Sequence, residues 1–272
     1  MTAPTIGFIG AGNMATSLIG GMLQQNFKPG QVLASDRNGE QLDKLSRQFG
    51  IQTSTDNDQL ARECDVLVLA VKPQIMQAVC RALPRQRKPG QLVISIAAGI
   101  ACHSLADWLG ADTAIIRCMP NTPALRGQGV SGLFASTTVS AEQRQLTEKI
   151  MNAVGISLWL DQEDQIDAVT AVSGSGPAYF FYLMEAMTDA GEQLGLPRDI
   201  AERLTLFTAL GAADMAVHSD VDTAELRRRV CSPNGTTEQA INSFSRDDLP
   251  GMVARAMQAA AARSAELSKE FA

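Results

Sequence analysis

The sequence is short of the groups that many enzymes use to move protons. It has two histidines, His103 and His218, and no lysine between Lys149 and Lys269. His103 falls in a stretch that reads as a surface helix and His218 near a helix end, so neither is placed as a general acid. The five cysteines, Cys64, Cys80, Cys102, Cys118 and Cys231, are an odd number without a Cys-x-x-Cys pair. That argues against a disulfide framework and a zinc site, and it reads as reduced thiols in a cytosolic protein with no metal. No apolar run approaches membrane-spanning length. The run Thr5 to Ile9 is too short for a signal-peptide core, and no Lys or Arg precedes Lys28. A net charge of −6 leaves little for a nucleic-acid or anionic-membrane partner, because binding polyanions draws on Lys and Arg.

What is present is a globular composition, 45% hydrophobic and 19% charged over 272 residues. A chain of that length buries about 70–75% of its unfolded surface without staples. From residue 5 to about 160, short β-branched runs alternate with helical stretches, the pattern of a parallel sheet covered by helices. The predicted strands are 5–9, 31–35, 65–71, 92–96, 114–118, 130–135 and 156–160. Residues 65–71, Asp-Val-Leu-Val-Leu-Ala-Val, suit a strand buried on both faces. After Asp161 the texture becomes Ala-, Leu- and Met-rich at helical spacing, which predicts an all-helical part. The expected division is therefore 1–161 and 162–272. The first part carries 14 basic and 12 acidic residues, the second 9 and 17, so the acidity sits on the helical half. Tyr179 to Met184 is apolar or aromatic all round its helix, and Ala201 to Val217 nearly so. Two readings are open: a local core helix, or a helix shared across a dimer interface.

Gly10-Ala11-Gly12-Asn13-Met14-Ala15 follows the first predicted strand and opens a helix, the Gly-x-Gly-x-x-Ala context of a dinucleotide site in a doubly wound sheet. Gly10 permits the tight turn, Gly12 lets the backbone approach a pyrophosphate, and Ala15 allows helix to pack closely on strand. The second strand ends in Ser35-Asp36-Arg37-Asn38. Asp36 fits a ribose 2′-hydroxyl and so NADH, whereas Ser35, Arg37 and Asn38 fit a 2′-phosphate. The guanidinium fork favours NADPH. Two further strand ends, Ala70-Val71-Lys72-Pro73 and Ser95 to Gly99, should reach the cofactor, with Ala97 and Ala98 leaving room for a nicotinamide ring. Met119 to Pro123 either walls the site or merely connects elements.

In the second half, Ser173-Gly174-Ser175-Gly176-Pro177 lacks the glycine of a nucleophile elbow. Ser175 is expected to cap the following helix, with substrate contact as the alternative. Thr236 and Gln239 fit a capping box, yet free N–H groups from Gly235 to Thr237 would also hold a small carboxylate. Without a base for an alcohol substrate, the chemistry expected is hydride transfer to a cyclic imine, whose protonated C=N is already electrophilic.

Taken in order, Thr5 to Ala15, Ala70 to Pro73, Ser95 to Gly99, Arg117 to Pro123, Asp167 to Tyr179 and Ser232 to Thr237 resemble the pyrroline-5-carboxylate reductases. The segments Val-Ser-Gly-Ser-Gly-Pro-Ala-Tyr and Ser-Pro-x-Gly-Thr-Thr carry the most weight. The resemblance implies a Rossmann-type sheet domain followed by an all-helical dimerisation domain, homodimers that often assemble into decamers, and reduction of 1-pyrroline-5-carboxylate to L-proline by NADPH or NADH. It places cofactor contacts on Ile9 to Met14, Ser35 with its neighbours Asp36 and Arg37, Asn57, Ala70 to Pro73, Ala97 and Ala98. It places the substrate carboxylate on the amides of Gly235, Thr236 and Thr237, with the Thr237 hydroxyl facing the ring nitrogen. This chain departs from many members at Asn234, where glycine is common, and at Arg227-Arg228-Arg229. Two rival functions are a β-hydroxyacid dehydrogenase, which uses a helical-domain lysine that this chain lacks, and a non-catalytic NADP-sensing protein.

Overall fold

The computed structural model describes residues 3–25 and 27–271. The chain divides into two compact units, Met1–Ser175 with Ala260–Ala272, and Gly176–Ala259.

The first unit is built on eight strands, β1 (Ile6–Ile9), β2 (Val32–Ser35), β3 (Gln52–Ser54), β4 (Val66–Leu69), β5 (Leu92–Ser95), β6 (Ala114–Met119), β7 (Gly129–Ala135) and β8 (Gly155–Trp159). They form one sheet in the order β3-β2-β1-β4-β5-β6-β7-β8. The chain starts at β1, winds outward to β3, then returns to β1's other side and continues to β8, which is the doubly wound topology with its switch between β1 and β4. All seven predicted strands are present. β3 was not predicted, because three polar residues, Gln-Thr-Ser, give no run to detect.

All neighbouring strands pair parallel except β6 and β7, which are antiparallel. The predicted sheet was parallel throughout. The reversal follows from the link: residues 120–128, with one 3-10 turn at Thr122–Arg126, are too short for a helical crossover.

Connecting the strands are α1 (Asn13–Gln24), α2 (Gly39–Phe49), α3 (Asn57–Glu63), α4 (Pro73–Ala82), α5 (Cys102–Leu109) and α6 (Ala141–Met151), followed by α7 (Gln165–Val169). Helix α1 buries Ala15, Leu18, Ile19 and Met22, a stripe at helical spacing that lies on Phe8 and Ile6. Each fully buried side chain of that size contributes about 1.5–3 kcal/mol. β4 shows why its sequence runs apolar without alternation. Val66 and Val68 enter one face cluster and Leu67 and Leu69 the other, so both faces are covered.

The second unit contains α8 (Gly176–Gln193), α9 (Arg198–Val217), α10 (Thr223–Val230) and α11 (Thr236–Arg246), and α12 (Leu249–Glu270) starts within it. Helix α8 ends through Gly195 (φ +97°), while the Leu194 and Leu196 amides donate to the carbonyls of Ala190 and Gly191. Gly191 then lets Ala201 of α9 come close. Few large side chains are covered here. Phe180, Phe181 and Tyr182 of α8 and Leu204, Phe207 and Leu210 of α9 are exposed, which rules out the local-core reading of these helices. No helix among the described residues is long and apolar enough to cross a membrane.

Candidate active site

The strand register aligns four carboxyl ends. Ile9 pairs with Ser35 on one side and Leu69 on the other, and Leu69 pairs with Ser95. The loops that follow therefore emerge side by side. Gly10 has φ +102°, and a Cβ there would stand 2.7 Å from the Ala70 carbonyl oxygen, so both conformation and space require glycine. The Gly10 amide donates to Ser35 O (2.8 Å). Gly12 forms the N-cap of α1, and nothing lies within 4 Å of the Cβ it lacks. The first intrahelical bond of α1 is from Thr16 N to Gly12 O (2.9 Å), so the amides of Asn13, Met14 and Ala15 precede the ladder. Gly12 and Asn13 are exposed and Ala15 is buried. Open space over a glycine beside unspent N–H groups at the positive end of a helix fits a pyrophosphate.

At the end of β2, the Ser35 hydroxyl is buried and donates to Asn57 Oδ1 (2.7 Å). Asp36 is turned onto the backbone: Oδ2 accepts from Ala11 N (2.8 Å) and Oδ1 from Asn38 N (2.9 Å). Gln41 Nε2 donates to Ala11 O (2.8 Å), so both peptide groups of buried Ala11 are held by the β2–α2 segment. Asn38 caps α2 by accepting from Gln41 N (3.3 Å). Arg37 is exposed, and its guanidinium makes no ion pair among the described residues.

These elements surround an open cleft of about 330 Å³ lined by Ile9, Gly10, Ser35, Asp36, Arg37, Asn57 and Val71, all picked out from the sequence. Ile75, Val79 and Leu83 supply an apolar wall that sequence reasoning missed. Its signal was present: α4 buries Met76 and Cys80 while Ile75, one position back, stays 46% exposed. An apolar side chain off the buried stripe marks a second surface to be covered.

Lys72 is the N-cap of α4 and Pro73 its first residue, where a missing N–H costs nothing. Ala97 and Ala98 are half-buried in the loop after β5. Asn121 links elements: Oδ1 accepts from Val130 N (2.9 Å) and Nδ2 donates to Ser173 O (3.1 Å). Four cysteines in the sheet unit, Cys64, Cys80, Cys102 and Cys118, have thiols pushed up to about 12 by burial, which removes thiolate chemistry. No cluster of metal ligands occurs among the described residues.

Ser175 corrects an expectation. Residues Thr170–Gly174 form a π-helical turn closed by Ser175 N to Thr170 O (2.8 Å), and Ser175 itself is helical (φ −85°, ψ −19°). It is therefore not an N-cap, because a cap needs extended dihedrals. Such turns are frequent at functional sites.

The Gly235 to Thr237 segment corrects a second. Gly235, not Thr236, is the N-cap of α11, and no Thr236–Gln239 box forms. Glu238 Oε2 instead accepts from Asn234 N (2.8 Å), and Gly235 N donates to Ser232 O (2.9 Å). Asn234 takes φ +58°, the left-handed conformation that asparagine tolerates in place of glycine. Thr236 and Thr237 are exposed, and the first bond of α11 is from Gln239 N to Gly235 O (3.3 Å). Their amides are unspent, as a carboxylate site requires.

The switch point, glycine turn and cleft define the first unit as a dinucleotide-binding α/β domain of the oxidoreductase type. A family model described as "NADP oxidoreductase coenzyme F420-dependent" matches residues 5–99. One described as "Pyrroline-5-carboxylate reductase dimerisation" matches residues 163–267. The pyrroline-5-carboxylate reductase of Pseudomonas aeruginosa is 58% identical over 271 residues, covering 100% of this chain and 99% of that protein. The solved structure of the Coxiella burnetii reductase superposes with TM-score 0.91 at 42% identity, covering 98% and 99% of the two chains. That of the Plasmodium falciparum enzyme with NADP bound gives 0.86 at 30% identity, with the same coverage. The chain belongs to the pyrroline-5-carboxylate reductase family.

Proposed function

We propose that this protein reduces 1-pyrroline-5-carboxylate to L-proline with NADPH, NADH being the weaker donor. The observation that carries the reading is the start of α11. Unspent amides at Thr236 and Thr237, beside Gly235 whose own amide is turned onto Ser232 O, are set to hold a small carboxylate, and the Thr237 hydroxyl is available to a ring nitrogen. Glu238, the titratable group beside them, is spent on Asn234 N. The site thus offers positioning and hydrogen bonding without a base, which suffices for a substrate that carries its own proton. The absence of lysine between Lys149 and Lys269 counts against a β-hydroxyacid dehydrogenase.

When bound, the nicotinamide would supply the hydride that the carbon of the protonated C=N, C2 of the pyrroline ring, accepts. In this reading residues 1–161 hold the cofactor and 162–272 the substrate and the dimer contacts. Ile9, Gly10, Ala11, Gly12, Asn13 and Met14 cradle the pyrophosphate, and Val71, Lys72, Pro73, Ala70, Ala97 and Ala98 form the floor for the nicotinamide. Ser35 and Asn57 face the adenosine ribose. Asp36 serves by fixing Ala11, which leaves Arg37 to meet the 2′-phosphate. Ser175, next to the π turn, is assigned to the substrate. Homodimers form through the helical half, and light scattering separates a dimer from a ring of dimers. Five free cysteines, four of them buried, favour the reducing cytosol.

Thr237→Val tests the assignment. Losing a hydrogen bond to a charged group, about 1.5–3 kcal/mol, should lower kcat roughly 10- to 100-fold while NADPH affinity stays unchanged. Unaltered turnover would overturn the role. Arg37→Ala should reduce the NADPH-over-NADH preference by roughly tenfold in paired kinetics, the order expected for one charge-assisted bond to phosphate. NADPH binding without any oxidation on adding the imine would instead favour the NADP-sensing alternative.

A further inference from the structure

Ala97 and Ala98 sit in the loop between β5 and α5, residues 96–101, whose far end is seated by buried Ile100 and Ala101. Around the two alanines the loop's own links are Ile96 N to Leu69 O (3.2 Å) and a long contact from Ala97 N to Ser95 Oγ (3.4 Å). Further restraints come from elsewhere in the chain. Gly99 is buried with φ +70°, and a Cβ there would stand 2.9 Å from Cβ of Leu267 and 3.5 Å from Cδ2 of Phe271. Only glycine lets the last turns of α12 come so near. Phe271 packs against the same buried apolar cluster as Ala97 and Val71. One turn earlier in α12, buried Ser264 donates to Asp167 Oδ1 (2.6 Å), which anchors the helix end to α7.

The second restraint acts where the loop enters α5. Oε1 of Glu163 accepts from Cys102 N (2.6 Å) and from Nη1 of Arg117 (2.7 Å). Arg117 lies on β6 opposite Ser95 and is 5% exposed. A single carboxylate oxygen thus ties the start of α5 to a buried guanidinium, with a favourable helix dipole and a charge-assisted bond.

Glu163 and Leu267 are the first and last residues of the segment matched by the dimerisation family, whereas Ala97 and Ala98 fall in the segment matched by the NADP oxidoreductase family. We propose that Glu163, Leu267 and Phe271 are positioning residues that hold the Ala97-Ala98 loop at the height the nicotinamide requires, so that the ends of the dimerisation segment set the geometry of the cofactor site. This rests on the reading above that Ala97 and Ala98 lie beside the nicotinamide. None of the three residues needs to touch substrate or cofactor.

The test compares Leu267→Ala, Glu163→Gln and a control, Ile150→Ala, which opens a void in α6 within the core cluster of the other sheet face from the one that Ala97 and Phe271 pack against. NADPH dissociation constants are read by cofactor fluorescence, both KM values and kcat by NADPH oxidation, and Tm by circular dichroism. Leu267→Ala should raise the NADPH Kd and KM roughly tenfold and lower kcat as much, since a misplacement near 1 Å costs up to about 100-fold, while KM for the imine stays within about twofold. Glu163→Gln, which keeps an acceptor for Cys102 N, should shift the same parameters by roughly threefold. Leu267→Met should restore wild-type values, and Ile150→Ala should lower Tm without moving the NADPH KM. Wild-type NADPH parameters in both Leu267→Ala and Glu163→Gln would overturn the proposal, as would equal shifts in the Ile150→Ala control. Failure of the wild-type protein to oxidise NADPH with the imine would instead overturn the functional reading. Should Leu267→Ala not fold, Glu163→Gln decides.

Discussion

The sheet unit and the helical unit are made from similar apolar material and use it in opposite ways. In the sheet unit the large side chains are enclosed: Phe8, Ile6, Leu18, Ile19 and Met22 are fully buried between sheet and helices. In the helical unit the larger side chains lie outside, with Phe207 68% exposed and Phe181 64%. A stretch of sheet has two faces, and the helices of its own crossovers cover both. Four helices and part of a fifth, with Tyr179 to Met184 of α8 apolar or aromatic all round, offer more surface than they can cover mutually. The first unit is stabilised by burial within the chain, whereas the second leaves a large apolar surface open and falls in the segment matched by a family described as dimerisation.

Placing a charge on the open face should break that difference most severely. Phe207→Asp puts a carboxylate where an aromatic anchor is expected, and the loss should exceed about 4 kcal/mol of dimer affinity, roughly a thousandfold. Light scattering across a dilution series reads it as dissociation to monomers, with activity falling in parallel. A variant that remains as oligomeric as the wild type would show that this face is not the interface. In the sheet unit the corresponding change is Leu18→Ala. It should cost about 2–5 kcal/mol of stability, seen as a lower Tm, and leave the oligomeric state at room temperature unchanged. If each variant altered the other's observable instead, the contrast between the units would be lost.

The sheet was legible because a doubly wound sheet prints itself locally: buried strands read as apolar runs, and the glycine turn follows β1 directly. What escaped was either too small or decided by geometry at a distance. β3 is three polar residues long, and β7 runs backwards because of the length of one link, which composition does not show. Asp36 reads from sequence as a ribose ligand, yet in the structure its oxygens serve Ala11 and Asn38, a bond across 25 positions for the first of these. The cap of α11 shifted by one residue because Gly235 adopts an extended conformation (φ −82°, ψ 170°) after left-handed Asn234, and Ser175 lost its cap to a π turn that no residue type announces. The exposed aromatic helices were visible as a problem, and their exposure in the structure excludes the local core.

The smallest expected effect sharpens the contrast from the electrostatic side. Asp65, just before β4, accepts from Thr5 N and Thr5 Oγ1 (both 2.9 Å) and pairs with Lys88 Nζ at 2.8 Å. Burial alone would raise its carboxyl pKa, but the bonds from Lys88 and Thr5 outweigh burial and hold it below the ordinary carboxylate value. Because the folded value is the lower one, this contribution is fully present above the unfolded carboxylate range near 4, and it is lost as pH falls through the folded value. The side chains of Asp65 and Lys88 are 41% and 35% exposed, so solvent and salt screen the pair to well under about 1 kcal/mol. Asp65→Asn should therefore lower Tm slightly at pH 7, and the gap to wild type should narrow as pH falls below about 4 through the folded value and shrink in high salt. A gap that neither acid nor salt changes would assign the loss to the Thr5 bonds alone. A gap as large as that of Leu18→Ala would mean that charge, rather than enclosed apolar surface, holds the sheet unit together.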